Sequence, residues 1–197
     1  MNPTREALRA ATGRAHERVD AAFGLFDLTD RDDYAGFLRA HAEVVYPLET
    51  ALERAGVTRI FADWDARRRG DALRADLSHL NDVPPLAGNV EELVRFPTLT
   101  GDHRFDDATT ADIDAAIAGH VYVLEGSRLG GKFLARQLPP GFPRAYLTEA
   151  QPAERWHALV RQLDEMLQAP RALRSALAAA HEAFDRFEHA AKRWARG

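Results

Sequence analysis

The chain has 197 residues, a formal net charge of −4, a hydrophobic fraction of 46% and no cysteine. Its length is most simply one domain over residues 1–197 with room for a large core. The slight negative charge gives no reason to expect a nucleic-acid or anionic-membrane partner, and the lack of cysteine removes disulfides, thiolate ligands and cysteine nucleophiles. No apolar run approaches the roughly 20 residues of a membrane span. The opening Met-Asn-Pro-Thr-Arg-Glu-Ala-Leu has no signal-peptide core, which predicts a cytoplasmic location. Many Ala, Leu, Arg and Glu residues with few β-branched runs predict an all-α fold.

Thr4 is placed to cap a first helix whose inner face carries Leu8, Thr12, Ala15, Val19 and Phe23, with Gly24 just past its end. Asp30 or Asp32 opens a second, striped by Tyr34, Phe37, Leu38, His41, Val45, Leu48 and Leu52 and ending near Gly56. Pro47 predicts a kink or a break near Val45. Trp64 to Leu80 reads as a third helix with Leu73, Leu77 and Leu80 inside. Pro84-Pro85 marks a turn before a short helix from Asn89 to Phe96, closed by Pro97, and residues 98–108 read as loop. Thr109 or Thr110 caps a long fourth helix, with Asp112 and Asp114 where the helix dipole favours acids. Beyond Pro139-Pro140-Gly141 and Pro143, helices are predicted from Ala150 to Leu167 and from Pro170 to about Trp194. The last is lined by Leu173, Leu177, His181, Phe184, Phe187 and Ala191.

The fourth helix carries an anomaly. Ile113, Ile117, Val121 and Leu124 form a helical stripe that Phe133 and Leu134 resume, yet Gly126, Gly130 and Gly131 lie inside it. Each interior glycine costs roughly 1 kcal/mol relative to alanine. Offsets of four and five residues put the three on nearly one face, where the backbone can approach something flat and bulky. A close contact with another helix, or a helix that ends at Gly130, accounts for the same spacing.

Eight histidines invite a metal reading. A di-iron carboxylate site needs a Glu-x-x-His pair on each of two helices, and only Glu154-x-x-His157 fits. His41, His120, His157, His181 and His189 read as surface or hydrogen-bonded core residues. His16 has a different setting, one turn before Asp20 on the inner side of the first helix. A carboxylate there can accept the Nδ1 proton and leave Nε2 for a metal. Arg9 lies two turns earlier on the same side, placed for an anionic edge.

The run Leu8-Arg9-Ala10-Ala11-Thr12-Gly13-Arg14-Ala15-His16 is similar to the proximal helix of the heme oxygenase family, in its bacterial biliverdin-producing branch. Tyr122-Val123-Leu124-Glu125-Gly126-Ser127-Arg128-Leu129-Gly130-Gly131 resembles that family's kinked distal helix, and the two segments fall in the family's order. The resemblance covers about Thr4 to Phe187, weakly after Pro139. It implies a single all-α domain that holds heme b, cofactor and substrate at once, between the two helices. It implies that His16 is the axial iron ligand, that Arg9 meets a propionate, and that Gly126, Gly130 and Gly131 let backbone lie over the macrocycle. Arg9 and Tyr122 would fix the in-plane rotation, and Arg161 is a candidate for a further propionate contact. Mammalian-type members carry an aspartate after the first distal glycine, where it organises water; here that residue is Ser127, a candidate anchor for distal water. The implied reaction cleaves heme to biliverdin, carbon monoxide and ferrous iron with O2. Its electrons come from an external reductase or ferredoxin-type donor, and a bilin-binding photoreceptor is one acceptor of the product. A non-catalytic heme carrier or sensor on the same fold is the alternative.

Overall fold

The structure, a computed structural model, describes residues 3–80, 109–149 and 153–195. The turn at Pro84-Pro85, the helix from Asn89 to Phe96 and the loop 98–108 lie outside the described residues. Among the described residues there are no strands. In chain order the helices are α1 (Pro3–Phe23), α2 (Arg31–Arg54), α3 (Gly70–His79), α4 (Thr110–Ala135), the single turn α5 (Ala145–Thr148), α6 (Ala153–Met166) and α7 (Pro170–Trp194). Short 3-10 turns occupy Val57–Arg59 and Trp64–Ala66.

The packing centres on α7, against which α1, α2 and α4 all lie. Its buried face is built of small residues, Ala172, Ala176, Ala179, Ala180 and Ala183, with Phe184 and Phe187 at the far end. The expected stripe of Leu173, Leu177 and His181 is only half-buried. Alanine wins those positions because α4 crosses so closely that a Cβ on Gly119 would collide with the Ala176 carbonyl. Ridge-to-groove packing at that distance admits no larger side chain.

Several boundaries differ from the expected ones for local reasons. Thr4 lies inside the first turn of α1 instead of capping it, and its backbone N–H donates to Asp164 Oδ1 of α6 at 3.1 Å. Asp30 caps α2 through the backbone N–H groups of Asp32 and Asp33. That helix runs unbroken through Pro47, within a segment buried from Val44 to Glu49. The expected third helix is shortened to α3. The chain leaves helical geometry before Gly70 to turn Arg67 and Arg69 inward, both almost fully buried. Glu49 of α2 then supplies the missing cap: its Oε1 accepts from the backbone N–H of Arg69 at 2.6 Å and of Gly70 at 3.2 Å. Thr109 and Asp112 form a reciprocal capping box at the start of α4, which continues through all three glycines.

Candidate active site

A cavity of about 950 Å3 opens between α1 and α4, with side chains from α2, α6 and α7 completing its walls. Its lining includes charged residues gathered near Tyr122 and an aromatic cluster around His41. At the charged end stand Arg5, Arg9 and Thr12 of α1, Tyr122 of α4 and Trp156 of α6. Burial pushes the Tyr122 phenol above its ordinary pKa, while the charge of Arg5, the phenol's own hydrogen bond with Thr12 and the charge of Arg9 pull it back. The phenol therefore stays protonated, a donor beside two cations.

His16 projects from the middle of the α1 wall. Its Nδ1 lies 2.9 Å from Asp20 Oδ2, and the edge of the Phe184 ring supports the imidazole at 5.9 Å between centroids. With the Nδ1 proton given to the carboxylate, the Nε2 lone pair is left for a metal.

The opposite wall has no side chain at two positions. A Cβ on Gly130 would meet nothing within 4 Å, and one on Gly126 would touch only the Trp156 ring at 3.8 Å. Gly131 does not share this face. A Cβ there would stand 2.6 Å from the Leu147 carbonyl, so this glycine admits α5 instead of a ligand. Its offset of five residues from Gly126 turns it about 140° around the helix, far enough to leave the cavity.

Behind this open face the helix is tied down by buried charge. Ser127 Oγ donates to the Leu124 carbonyl at 2.8 Å and accepts from Arg69 Nη1 at 2.8 Å. The Arg69 guanidinium stacks on the Tyr146 ring at 3.9 Å and donates through Nη2 to the Tyr146 carbonyl at 2.9 Å. Next to it, Glu125 lies between Arg67 at 3.3 Å and Arg128 at 3.4 Å, and Arg128 also donates to the Arg67 carbonyl. Burial raises the Glu125 carboxyl, and Arg128 and Arg67 oppose that shift. These pairs hold residues 125–128 from inside while the cavity side stays bare.

At the aromatic end His41 stands among Phe23, Phe37 and Tyr146, with ring centroids 4.3, 4.4 and 5.2 Å away. Burial drives its pKa down to about 3, so the ring is neutral. Its Nδ1, 2.9 Å from the Phe37 carbonyl, must be the protonated nitrogen, because a carbonyl can only accept.

The cavity thus brings together Arg9, His16, Tyr122, Gly126, Ser127 and Gly130 of the expected site. Two expected members fall elsewhere: Gly131 against α5, and Arg161 on an exposed part of α6 outside the cavity lining. From α6 it is Trp156 that reaches the cavity; Arg161, five residues on, is rotated away. Glu154 and His157 are both exposed, and among the described residues no group of three or more His, Asp or Glu could hold a metal ion. Sequence reasoning passed over Arg5, Arg69 and His41. Arg5 continues the spacing of Arg9 by one turn and was open to discovery; His41 shares a stripe with ordinary core residues, and Arg69 acts across 58 positions.

One imidazole with its orienting carboxylate, a wall bare at Gly126 and Gly130, paired cations near Tyr122 and an aromatic cluster around His41 suit a flat metal macrocycle with acids on one side. The heme oxygenase family model matches residues 2–193. A heme oxygenase of Xanthomonas campestris pv. campestris is 32% identical over 170 residues, covering 80% of this chain and 88% of that protein. The heme oxygenase PigA of Pseudomonas aeruginosa is 28% identical over 195 residues, covering 95% and 90%. Among solved structures, the NO- and CO-bound heme oxygenase of Neisseria meningitidis has a TM-score of 0.69 at 20% identity, covering 98% of this chain and 92% of that one. The heme oxygenase of Leptospira interrogans has a TM-score of 0.66 at 18% identity, covering 98% and 100%. The fold agrees with theirs, and the family match spans both walls of the cavity: the chain belongs to the heme oxygenase family.

Proposed function

We infer that this protein is a heme oxygenase that opens heme to biliverdin, carbon monoxide and ferrous iron, using O2 and electrons from an external reductase or ferredoxin-type donor. The observation that carries this reading is the pairing of His16, oriented by Asp20, with the bare backbone of Gly126 and Gly130 across the cavity. Heme, substrate and cofactor together, supplies the iron at which O2 is reduced and the carbon framework that is opened.

The residues divide the remaining work. His16 would hold the iron through Nε2, with Asp20 fixing the ring's tautomer and orientation. Arg5, Arg9 and the Tyr122 hydroxyl would bind the propionates and so select which meso carbon is opened. Gly126 and Gly130 bring backbone over the reacting face, where it restricts the orientation available to O2. The Ser127 hydroxyl has spent its proton on Leu124 and one lone pair on Arg69. Its other lone pair can accept from a water in the cavity, so Ser127 orients water without donating to the oxygen itself. His41, neutral and fixed at Nδ1, adds a second acceptor at the aromatic end through Nε2.

The test is a heme titration of the purified protein followed by a reductant in air. A Soret band that bleaches while a biliverdin spectrum grows supports the reading. A Soret band that persists under reductant and oxygen rejects it.

A further inference from the structure

Among the described residues, the large hydrophobic side chains left exposed are Leu25, Leu129 and Phe133, at 66%, 60% and 67%. Two of them, Leu129 and Phe133, are one turn apart on α4 and line the cavity; Leu25 does not line it, although its neighbours Gly24 and Phe26 do. An exposed apolar pair that lines a cavity suits an apolar part of whatever fills it. The charged end of the cavity is fixed by Arg5, Arg9 and Tyr122. Phe133 lies eleven residues beyond Tyr122, about 16 Å further along the helix axis. A heme whose carboxylates meet the arginines directs its opposite edge, which carries only methyl and vinyl groups, toward that part of α4.

We propose that Leu129 and Phe133 form an apolar clamp on the carboxylate-free edge of bound heme, and that they select macrocycles bearing vinyl groups there. The proposal rests on the heme oxygenase reading. Leu129 follows Gly126 and Ser127 on the same helix, so the clamp and the bare wall are one surface: glycines admit the ring plane, and the two side chains fold over its rim. Burial of the pair against the ligand slows heme release. Biliverdin, open and flexible, presents no rigid edge to grip, so the same device holds substrate longer than product.

The test uses the full chain loaded with heme or with deuteroheme, in which hydrogens replace both vinyl groups. Release of each is timed by capture in excess apomyoglobin from the wild type, Leu129→Ala, Phe133→Ala, the double variant and Leu25→Ala. Wild type should release deuteroheme several times faster than heme. The double variant should release heme about tenfold faster than wild type, as expected for loss of well over one buried methylene, and its deuteroheme-to-heme ratio should approach one. Leu25→Ala should match wild type. The absorption spectrum set by His16 should be the same in every protein. Wild-type release rates in the double variant overturn the clamp, as does acceleration of both ligands by one factor. Failure of the wild type to take up heme with a histidine-ligated spectrum overturns the heme oxygenase reading itself, and the clamp with it.

Discussion

Gly119 and Gly130 lie about three turns apart on one helix and answer opposite demands. At Gly119 the missing Cβ is replaced by protein, since α7 lies so close that any side chain would strike the Ala176 carbonyl. At Gly130 nothing replaces it, and the backbone faces open cavity. The first glycine offsets its cost in helix propensity by packing within the folded chain. The second has no compensation until a ligand arrives. Stability and binding are therefore separable along this face of α4: its first half packs on α7 and its second half faces the cavity, while Gly131, on another side, still packs against α5.

The largest effect should come from the packing half. Gly119→Leu must force α4 from α7, and overpacking of this kind typically costs about 1–3 kcal/mol and occasionally more. Thermal unfolding should show a markedly lower Tm with no ligand present; an unchanged Tm would mean that the crossing is looser than the structure has it. His16→Ala probes the cavity wall facing Gly130. It should leave apo-protein unfolding close to wild type while the ferric heme spectrum changes and ordinary turnover is lost. A normal spectrum in that variant would move the iron ligand elsewhere.

Gly130→Leu inverts the result at Gly119. On propensity it should stabilise the apo-protein, by up to about 1 kcal/mol, yet weaken heme uptake and suppress biliverdin formation. Equal loss of apo stability at both glycines would erase the contrast between the two halves. Arg9→Glu should be milder, lowering heme affinity and broadening the mixture of biliverdin isomers, read by chromatography of the product. Isomer ratios and affinity at wild-type values would make Arg9 a plain surface charge.

The smallest effect concerns pH and falls on the buried supports. Burial lowers His41 and His120 to about 3, so each stays neutral when folded and contributes stability that is lost as pH falls below about 6.5. Glu49 acts in the other sense. Burial raises it to about 7, so the folded protein takes up a proton that the unfolded chain does not between about pH 7 and 4.5. This gains stability on acidification and opposes the histidines. Glu49→Gln should therefore steepen the fall in Tm between pH 7 and 5, and identical slopes in variant and wild type would show that Glu49 titrates normally.

How far the sequence carried can be judged from the same helices. Periodicity located α1, α2, α4 and α7, because each pairs a long apolar face with a clear start or stop, such as Asp30, the Thr109 box or Pro170. His16 and Asp20 were legible because their contact is local, a single turn. The end of the third helix nearest the site was not legible. Its first turns gave way to the inward swing of Arg67 and Arg69, stabilised by Glu49, Ser127 and Tyr146, partners 20, 58 and 77 positions away. Gly131 was misassigned for a related reason: spacing gives an angle around a helix, but not which neighbour occupies that side. Phe133, expected to resume the buried stripe, instead stands exposed at the cavity.

The contacts that seat α1 have a consequence for the order of folding. Arg18 pairs with Glu188 at 2.7 Å and Asp185 at 2.8 Å, and the ring beside His16 belongs to Phe184. Of the described helices, the first in the chain is thus docked by the last, across about 170 positions. On a ribosome that adds residues one after another, the contacts of α1 with α7 must wait until α7 has emerged, and contacts of such long sequence separation close slowly. The setting of His16 against Phe184 is then among the last features to form during synthesis. A nascent chain interrupted before α7 would contain the whole of both cavity-forming helices and still lack the Phe184, Asp185 and Glu188 contacts that hold α1 in place.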